Sequence, residues 1–170
     1  MSWVDVVLIN AGRRIAPLWP RLFIWLAERY PYRATRGVPL TRLTKPLRGC
    51  RVALLTTAGL HLDDQPSFDM KNLLGDWSFR EFPRSTPRAR FCLSDVQYDR
   101  RGVARDLNVV FPLDRLEELA AEGLIGEVAP RHFGFMGYIL KTDALVRSTA
   151  RAVAARLRED ATDAVVLTPA

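Results

Sequence analysis

The residue types best suited to proton transfer are the two histidines of the chain, His61 and His132. The first follows the apolar, β-branched run RVALLTT (51–57), and the second follows LIGEVA (124–129). Both are therefore expected in loops where buried strands end. A histidine is the usual acid or base near neutral pH, and a neighbouring carboxylate would hold its tautomer. The alternative for a histidine in a loop is a structural bond to a backbone carbonyl.

Three polar loops are predicted to converge on one site, around His61, Tyr98 and His132. The loop over 59–77 is rich in aspartate, and the segment over 94–108 adds further polar side chains. Loops of this length without regular structure are often functional. The candidate site therefore combines the two histidines with three supporting side chains, which are Tyr98, Asp69 and Asp106.

Other catalytic templates are absent from the sequence. There is no GxSxG elbow, no GxxxxGK[ST] loop and no GxGxxG after a strand, so no bound cofactor is expected. A metal site of His61, His132 and two aspartates is an open alternative. Without HxH, HExxH or paired-cysteine spacing, however, no metal is expected. Cys50 and Cys92 are expected to be buried structural thiols in a reduced cytoplasmic setting.

Composition places the chain among globular proteins that fold around a core. Of its 170 residues, 48% are hydrophobic and 26% charged, which excludes the disordered and fibrous classes. The net charge of +6 comes almost entirely from arginine. Since no DNA- or RNA-binding motif accompanies that bias, no nucleic-acid partner is expected.

Residues 1–49 differ in character from the rest of the chain. Arginines and prolines interrupt the apolar runs over 4–9 and 18–26, so no segment of about 20 residues could span a bilayer. The segment is predicted to form amphipathic helices followed by a linker rich in proline and glycine. These helices would pack on the chain itself or on a second subunit, or, alternatively, lie on an anionic membrane surface.

Residues 50–170 alternate strand and helix patterns and form the predicted α/β domain. The alternation predicts a mainly parallel sheet with helices on both faces, in Rossmann-like or flavodoxin-like layers. Gly134 and Gly137 predict a loop over 131–139. The last strand is expected to be buried on both faces, which implies a further C-terminal piece that covers it. Strands are predicted over 51–57, 78–82, 88–93, 124–129 and 164–167, and helices over 112–122 and 142–160.

Five ordered motifs in this domain together resemble one known family. They are ALLTTAGLHLDDQPSFD, GDWSFREFP, YDRRGVARDLNVVFPLDRLEELAAEGLIGEVAP, RHFGFMGYI and DAVVLTP, and they span roughly 52–169. The chain is similar to the selenoprotein B family of glycine, sarcosine, betaine and D-proline reductases, and in particular to its short stand-alone members. Asp95 departs from the pattern, since many relatives have histidine there.

The resemblance implies a nucleophile that the given sequence does not contain. In the family, the strand equivalent to 164–168 leads directly into selenocysteine, or into cysteine in some members, so the nucleophile is expected just after Ala170. Because the selenocysteine codon UGA is commonly translated as a stop, the sequence is expected to be truncated there and the 170-residue chain to be inactive. His61 and His132 would then protonate a leaving group or hold the substrate.

The expected function is a reductase dependent on selenocysteine or cysteine that cleaves a C–N bond of a small molecule or exchanges with thiols. The resemblance implies transfer of an adduct to partner proteins, and a redox partner such as thioredoxin is expected. The alternative is a non-enzymatic interaction domain, membrane-peripheral through residues 1–49. An in-frame TGA after the Ala170 codon, followed by coding sequence, would favour the reductase, and a TAA stop would favour the interaction domain.

Overall fold

A computed structural model describes residues 41–94 and 101–169, together with the single positions 11, 21 and 25. The chain divides into two compact units, Met1–Arg42 and Leu43–Ala170, and the elements described below belong to the second. Apart from those single positions, the predicted N-terminal helices lie outside the described residues. Within the described part of the chain, no helix is long and apolar enough to cross a bilayer.

A five-stranded sheet forms the centre of the second unit, with β1 (Arg51–Thr56) in its middle. β7 (Ala164–Thr168) runs parallel to β1 along most of its length on one side. On the other side, β5 (Glu127–Val128) pairs with the start of β1 and β6 (Arg131–Gly134) with its end, both in parallel. β3 (Arg80–Pro83) adds an antiparallel strand beside β6. The prediction of an α/β fold with a mainly parallel sheet is confirmed.

Helices connect these strands. α1 (Arg101–Arg105) and α2 (Leu113–Ala121) precede β5. Between β6 and β7, α3 (Thr142–Ala144) continues through a π-helical segment, Leu145–Thr149, into α4 (Ala150–Glu159). The predicted C-terminal helix is therefore present, with a π-helical segment that the sequence pattern did not indicate. Short 3₁₀ turns are formed by Leu47–Gly49, Arg88–Arg90 and Leu107–Val109.

Different helices cover the two faces of the sheet, because successive side chains of β1 point in opposite directions. Val52 and Leu54 belong to the buried cluster that contains Leu113 and Leu116 of α2. Leu55 packs instead against the cluster on the α4 side. Each fully buried side chain of this kind contributes about 1.5–3 kcal/mol. Helices therefore lie on both faces, as predicted.

The ends of α2 follow from local chemistry. Pro112 precedes the helix. Asn108 Oδ1 accepts a hydrogen bond from Asp114 N at 3.1 Å and so satisfies one of the free N-terminal amides. Gly123 follows the helix at φ +72°, a conformation that favours glycine. The predicted helix over 112–122 is thereby confirmed.

A second, two-stranded sheet forms where the sequence predicted irregular structure. β2 (Leu60–Leu62) pairs antiparallel with β4 (Phe91–Leu93). The loop predicted over 59–77 is therefore wrong in its first part, because a three-residue strand is too short for its alternation to be recognised. The strand predicted over 88–93 is shortened to β4, since Arg88–Arg90 form a 3₁₀ turn.

The loop predicted over 131–139 is also wrong, because its first four residues form β6. Gly134 serves close packing in that strand. A Cβ at position 134 would lie 2.6 Å from Phe82 Cζ and 2.7 Å from Leu60 O. The missing side chain thus allows the Phe82 ring and the backbone of β2 to reach the end of β6.

β7 is an edge strand among the described residues, and the further C-terminal piece expected to cover it stays a prediction. β7 pairs with β1, and its other edge has no strand partner among the described residues. Val166 and Leu167 are 42% and 66% exposed. The apolar run correctly predicts a strand over 164–167.

Replacing Gly134 by alanine is expected to lower the free energy of unfolding by about 1–3 kcal/mol, because the added methyl overlaps Phe82 and the backbone of Leu60. Urea unfolding followed by circular dichroism measures the change. Gly102→Ala in α1 is the matched control. A Cβ there meets Val109 Cγ1 at 4.0 Å, so alanine should stabilise the helix by about 0.5–1 kcal/mol. Equal stability of the two variants would contradict the packing role of Gly134.

Candidate functional site

The strands β1, β6 and β7 end at one side of the sheet, and backbone hydrogen bonds join their ends. Thr57 N donates to Thr168 O at 3.1 Å, and Phe135 N donates to Thr56 O at 2.8 Å. Gly59 N in turn donates to Phe135 O at 2.9 Å. We call this region the carboxyl edge. It is the candidate site, because ligands of α/β sheets bind beyond the carboxyl ends of the strands.

His61 lies on β2, directly after the turn that follows β1. Its Nδ1 is 3.3 Å from Ser94 Oγ and 3.5 Å from Gly59 O. Ser94 N donates to Gly59 O at 3.0 Å, and Ser94 Oγ accepts a hydrogen bond from Phe68 N at 3.0 Å. The loop predicted for His61 is wrong, since the residue is part of a strand. Both side chains of the His61–Ser94 pair are buried, and Gly59, which both residues contact, is bonded to the carboxyl edge.

Ser94 leaves both neutral tautomers of His61 open. A hydroxyl can donate to Nδ1 or accept from it, whereas Gly59 O can only accept. His61 Nε2 has no hydrogen-bond partner in residues 41–94 and 101–169. That nitrogen is therefore placed to form a hydrogen bond with a bound molecule. Sequence reasoning missed Ser94, because a single serine after a short strand carries no signal until the register of β4 is known.

His132 is fully buried inside β6, so the loop predicted for it is wrong. Its Nδ1 accepts a hydrogen bond from Leu54 N at 3.0 Å. On this side of β1, β5 pairs with the first residues of the strand and β6 with the last, so Leu54 in between has no strand partner there. The imidazole of His132 supplies the hydrogen-bond acceptor for the Leu54 amide. The ring stands edge-on to Phe111, with centroids 5.8 Å apart. Burial lowers the pKa of His132 to about 4. This arrangement favours a structural role.

The carboxylates predicted to support the site are engaged in local turns. Asp69 Oδ1 accepts a hydrogen bond from Lys71 N at 2.9 Å. Asp106 Oδ1 accepts from the backbone and side-chain nitrogens of Asn108, which lowers the pKa of Asp106. Tyr98 lies outside the described residues. The catalytic roles of these three side chains stay predictions.

Metal-ligating side chains are dispersed in the described part of the chain. There, no group of three or more His, Cys, Asp or Glu residues could hold a metal ion. The alternative metal site of two histidines and two aspartates is therefore not formed among these residues. Cys50 is buried, as predicted, but Cys92 is partly exposed, so the burial predicted for Cys92 is wrong.

An apolar pocket of about 490 Å³ opens beside the carboxyl edge, on the face covered by α4. Thr57 and Leu167 line it at the strand ends, and Phe135 lines it after β6. Leu145 and Leu157 close it from the helical side. A lining of this kind accommodates hydrocarbon groups.

Two curated proteins match the chain over most of its length. D-proline reductase subunit gamma of Acetoanaerobium sticklandii is 38% identical over 128 residues, which are 75% of this chain and 52% of the relative. Sarcosine reductase complex component B subunit beta of Peptoclostridium acidaminophilum is 26% identical over 147 residues, 82% of this chain and 32% of the relative. The chain thus spans about half and about a third of the length of these relatives. No solved structure gives a significant match.

A family model also matches the chain, over residues 26–170. This match covers all five motifs and extends into the N-terminal segment that the motifs leave out. The resemblance predicted from the motifs is confirmed, and the chain belongs to the glycine/sarcosine/betaine reductase selenoprotein B family.

Proposed function

We propose that the chain is a component of a reductase that cleaves a carbon–nitrogen bond in a small amine or amino acid, or exchanges with thiols. Family membership and the names of its relatives, subunits of D-proline and sarcosine reductases, support this class of reaction. In this proposal the nucleophile is the selenocysteine or cysteine that the family resemblance implies after Ala170. The proposal needs no further cofactor.

The observation that carries the proposal is the position of the His61–Ser94 pair at the carboxyl edge. Thr57 N is bonded to Thr168 O, so β7 ends beside the turn that leads to His61. A thiolate or selenolate that follows β7 would meet an imidazole whose Nε2 is available for proton transfer. The apolar pocket on the α4 side would hold the hydrocarbon part of a substrate beside the same strand ends.

In the proposed step, the selenolate or thiolate attacks the substrate carbon that bears the nitrogen. A carbon–selenium or carbon–sulfur bond forms while the carbon–nitrogen bond breaks, and the bonding electron pair leaves with the nitrogen. His61 would hold that nitrogen and donate a proton if it leaves unprotonated. A dithiol of a partner such as thioredoxin then breaks the carbon–selenium or carbon–sulfur bond: it supplies two electrons and a proton to the substrate carbon, becomes a disulfide, and leaves the selenolate or thiolate free for the next turnover.

Protein partners form part of the proposal, because both relatives are named as subunits of larger reductases. A reduced, cytoplasmic setting suits Cys50 and Cys92, which are both free thiols. The alternative function is an interaction domain without activity. It is favoured by the exposed side chains of Val166 and Leu167 on the edge strand.

The proposal is tested on the protein purified from its native source grown with selenium. Intact mass identifies any residue beyond Ala170. Glycine, sarcosine, betaine and D-proline are each incubated with the protein and dithiothreitol, and the amine product is measured. Cleavage of the carbon–nitrogen bond releases a free amine from an open-chain substrate and opens the ring of D-proline. The matched control is the same preparation alkylated with iodoacetate. We expect turnover with at least one substrate and its loss on alkylation. A mass of 19.3 kDa without turnover would overturn the proposal and favour the interaction domain.

A further inference from the structure

The apolar pocket beside the carboxyl edge lies where the core on the α4 face of the sheet is incomplete. The fully buried members of that core are Phe133, Phe135 and Val153. Other apolar side chains that pack against them are only partly buried and line the pocket, namely Leu55, Ile139, Leu145 and Leu157. The pocket therefore leaves apolar surface in contact with solvent that the hydrocarbon group of a ligand could bury.

Two features of the helical side accompany this space. Ala150 and Ala154 of α4 line the pocket about one turn apart, and their short side chains leave it unfilled. Leu145, the first residue of the π-helical segment, lines the pocket as well. A π-helical turn inside an α-helix is uncommon and is frequent at functional sites. The pocket is therefore bounded by a part of the helix whose geometry is itself typical of a binding site.

The volume of the pocket decides the size of the group that fits. A closed cavity of about 150 Å³ lined by leucine, isoleucine and phenylalanine binds benzene, which has six carbons. The pocket of about 490 Å³ is roughly three times as large. The single methyl group that distinguishes sarcosine from glycine would leave most of this space empty. A hydrocarbon group of about six carbons, in contrast, fits with room to spare.

The lining also decides which part of a ligand enters. None of the described residues that line the pocket is charged, and Thr57 is the one polar side chain among them. An ammonium or carboxylate group placed there would lose its hydration without gaining a charged partner, so it must stay at the opening. Leu167 lines the pocket at the end of β7 and is 66% exposed. The opening therefore reaches the carboxyl edge, where the charged groups of the ligand would lie.

We propose that the substrate is an amine or amino acid that carries a hydrocarbon group of about six carbons, which this pocket binds while the charged groups stay at the carboxyl edge. The inference rests on the proposed function for the carbon–nitrogen bond and adds the class of substrate. Such substrates are bound in preference to glycine and sarcosine, which have no group of that size. Ala154 is a specificity-determining residue, because its short side chain keeps the pocket open.

The first experiment measures equilibrium binding to the protein from its native source, by isothermal titration calorimetry. One series of probes lengthens the group on nitrogen, from sarcosine through N-butylglycine to N-hexylglycine. A second series places the group on carbon, from alanine to 2-aminooctanoic acid. We expect the dissociation constant to fall about fourfold for each added methylene in at least one series, because each methylene buries apolar surface. Dissociation constants that do not depend on chain length in either series would overturn the proposal.

The second experiment fills the pocket. Ala154→Phe adds a ring of the size of benzene and should weaken binding of the longest probe about tenfold or more, with little effect on sarcosine. Ala155→Phe is the matched control, because the adjacent position is exposed and does not line the pocket. Circular dichroism establishes that both variants are folded. Unchanged binding of the longest probe by folded Ala154→Phe would overturn the proposal, and if that variant does not fold, the two wild-type series decide.

Binding is measured without turnover, so this proposal and the reductase proposal can fail separately. Binding that tightens with chain length, without turnover of any probe, would support the pocket and contradict the reductase. Turnover of sarcosine, with binding that does not depend on chain length, would support the reductase and overturn the assignment of the pocket.

Discussion

Replacing His61 by asparagine is expected to lower reductase turnover about 10²- to 10⁴-fold, the range that general acid–base catalysis contributes. Asparagine retains a hydrogen-bonding group at the position of Nδ1, so it can still bond to Ser94 Oγ, whereas Nε2 and its proton are lost. The fold should persist, and the loss should appear in kcat more than in KM. Steady-state kinetics of the selenium-containing protein, with whichever substrate the turnover assay identifies, measure the effect.

Asp69→Asn and Asp106→Asn are the matched controls for this variant. Each carboxylate serves a local turn, so both variants should keep turnover close to that of the wild type. Ser94→Ala should lower turnover about tenfold, which corresponds to the loss of one hydrogen bond. It should also alter the pH dependence of turnover, because His61 loses its hydrogen-bond partner. Wild-type kcat in a folded His61→Asn variant would contradict the acid–base role. Equal losses in the aspartate variants would contradict the assignment of the site.

The free energy of unfolding is expected to fall by about 3 kcal/mol as the pH is lowered from 6.5 towards 4. Burial, with the nearby charges of Arg84 and Arg88, lowers the pKa of His132 from 6.5 to about 4 in the folded protein. Between these two values the unfolded chain binds the additional proton, so stability rises with pH in that window. The difference between the two pKa values corresponds to about 3 kcal/mol. Above this window the contribution of His132 no longer changes with pH.

Urea unfolding at a series of pH values across this window measures the effect. His132→Asn should flatten the dependence, since asparagine can accept the Leu54 N–H but does not titrate. Hydrogen bonds lower the pKa values of Asp106 and Asp114 below 3.8, so these carboxyl groups act mainly at more acidic pH. If the variant does not fold, the pKa of His132 in the folded wild-type protein is measured instead, by NMR titration of its ring. A midpoint near 6.5 would show that burial does not hold the ring neutral.

The candidate site was only partly predictable from the sequence. The position of His61 after the first strand was recognised because the run RVALLTT ends where polar residues begin. His132 gave the same signal, a histidine after an apolar strand, yet β6 places it in the core between β1 and Phe111. A local pattern cannot distinguish these two cases, because a side chain's exposure depends on elements that are distant in the chain.

The sequence by itself determined the family, the α/β class, and the position of β1, α2 and the strand over 164–167. These features depend on motif order, on apolar periodicity and on helix-stop residues, all of which are local. Only the tertiary structure decided that β7 lies at an edge, that Gly134 is a packing requirement, and that Ser94 stands beside His61. The physical reason is that these features depend on the pairing register of the strands. A strand's neighbours are set by pairing across dozens of residues, and three-residue strands such as β2 and β4 carry too few side chains to encode it locally.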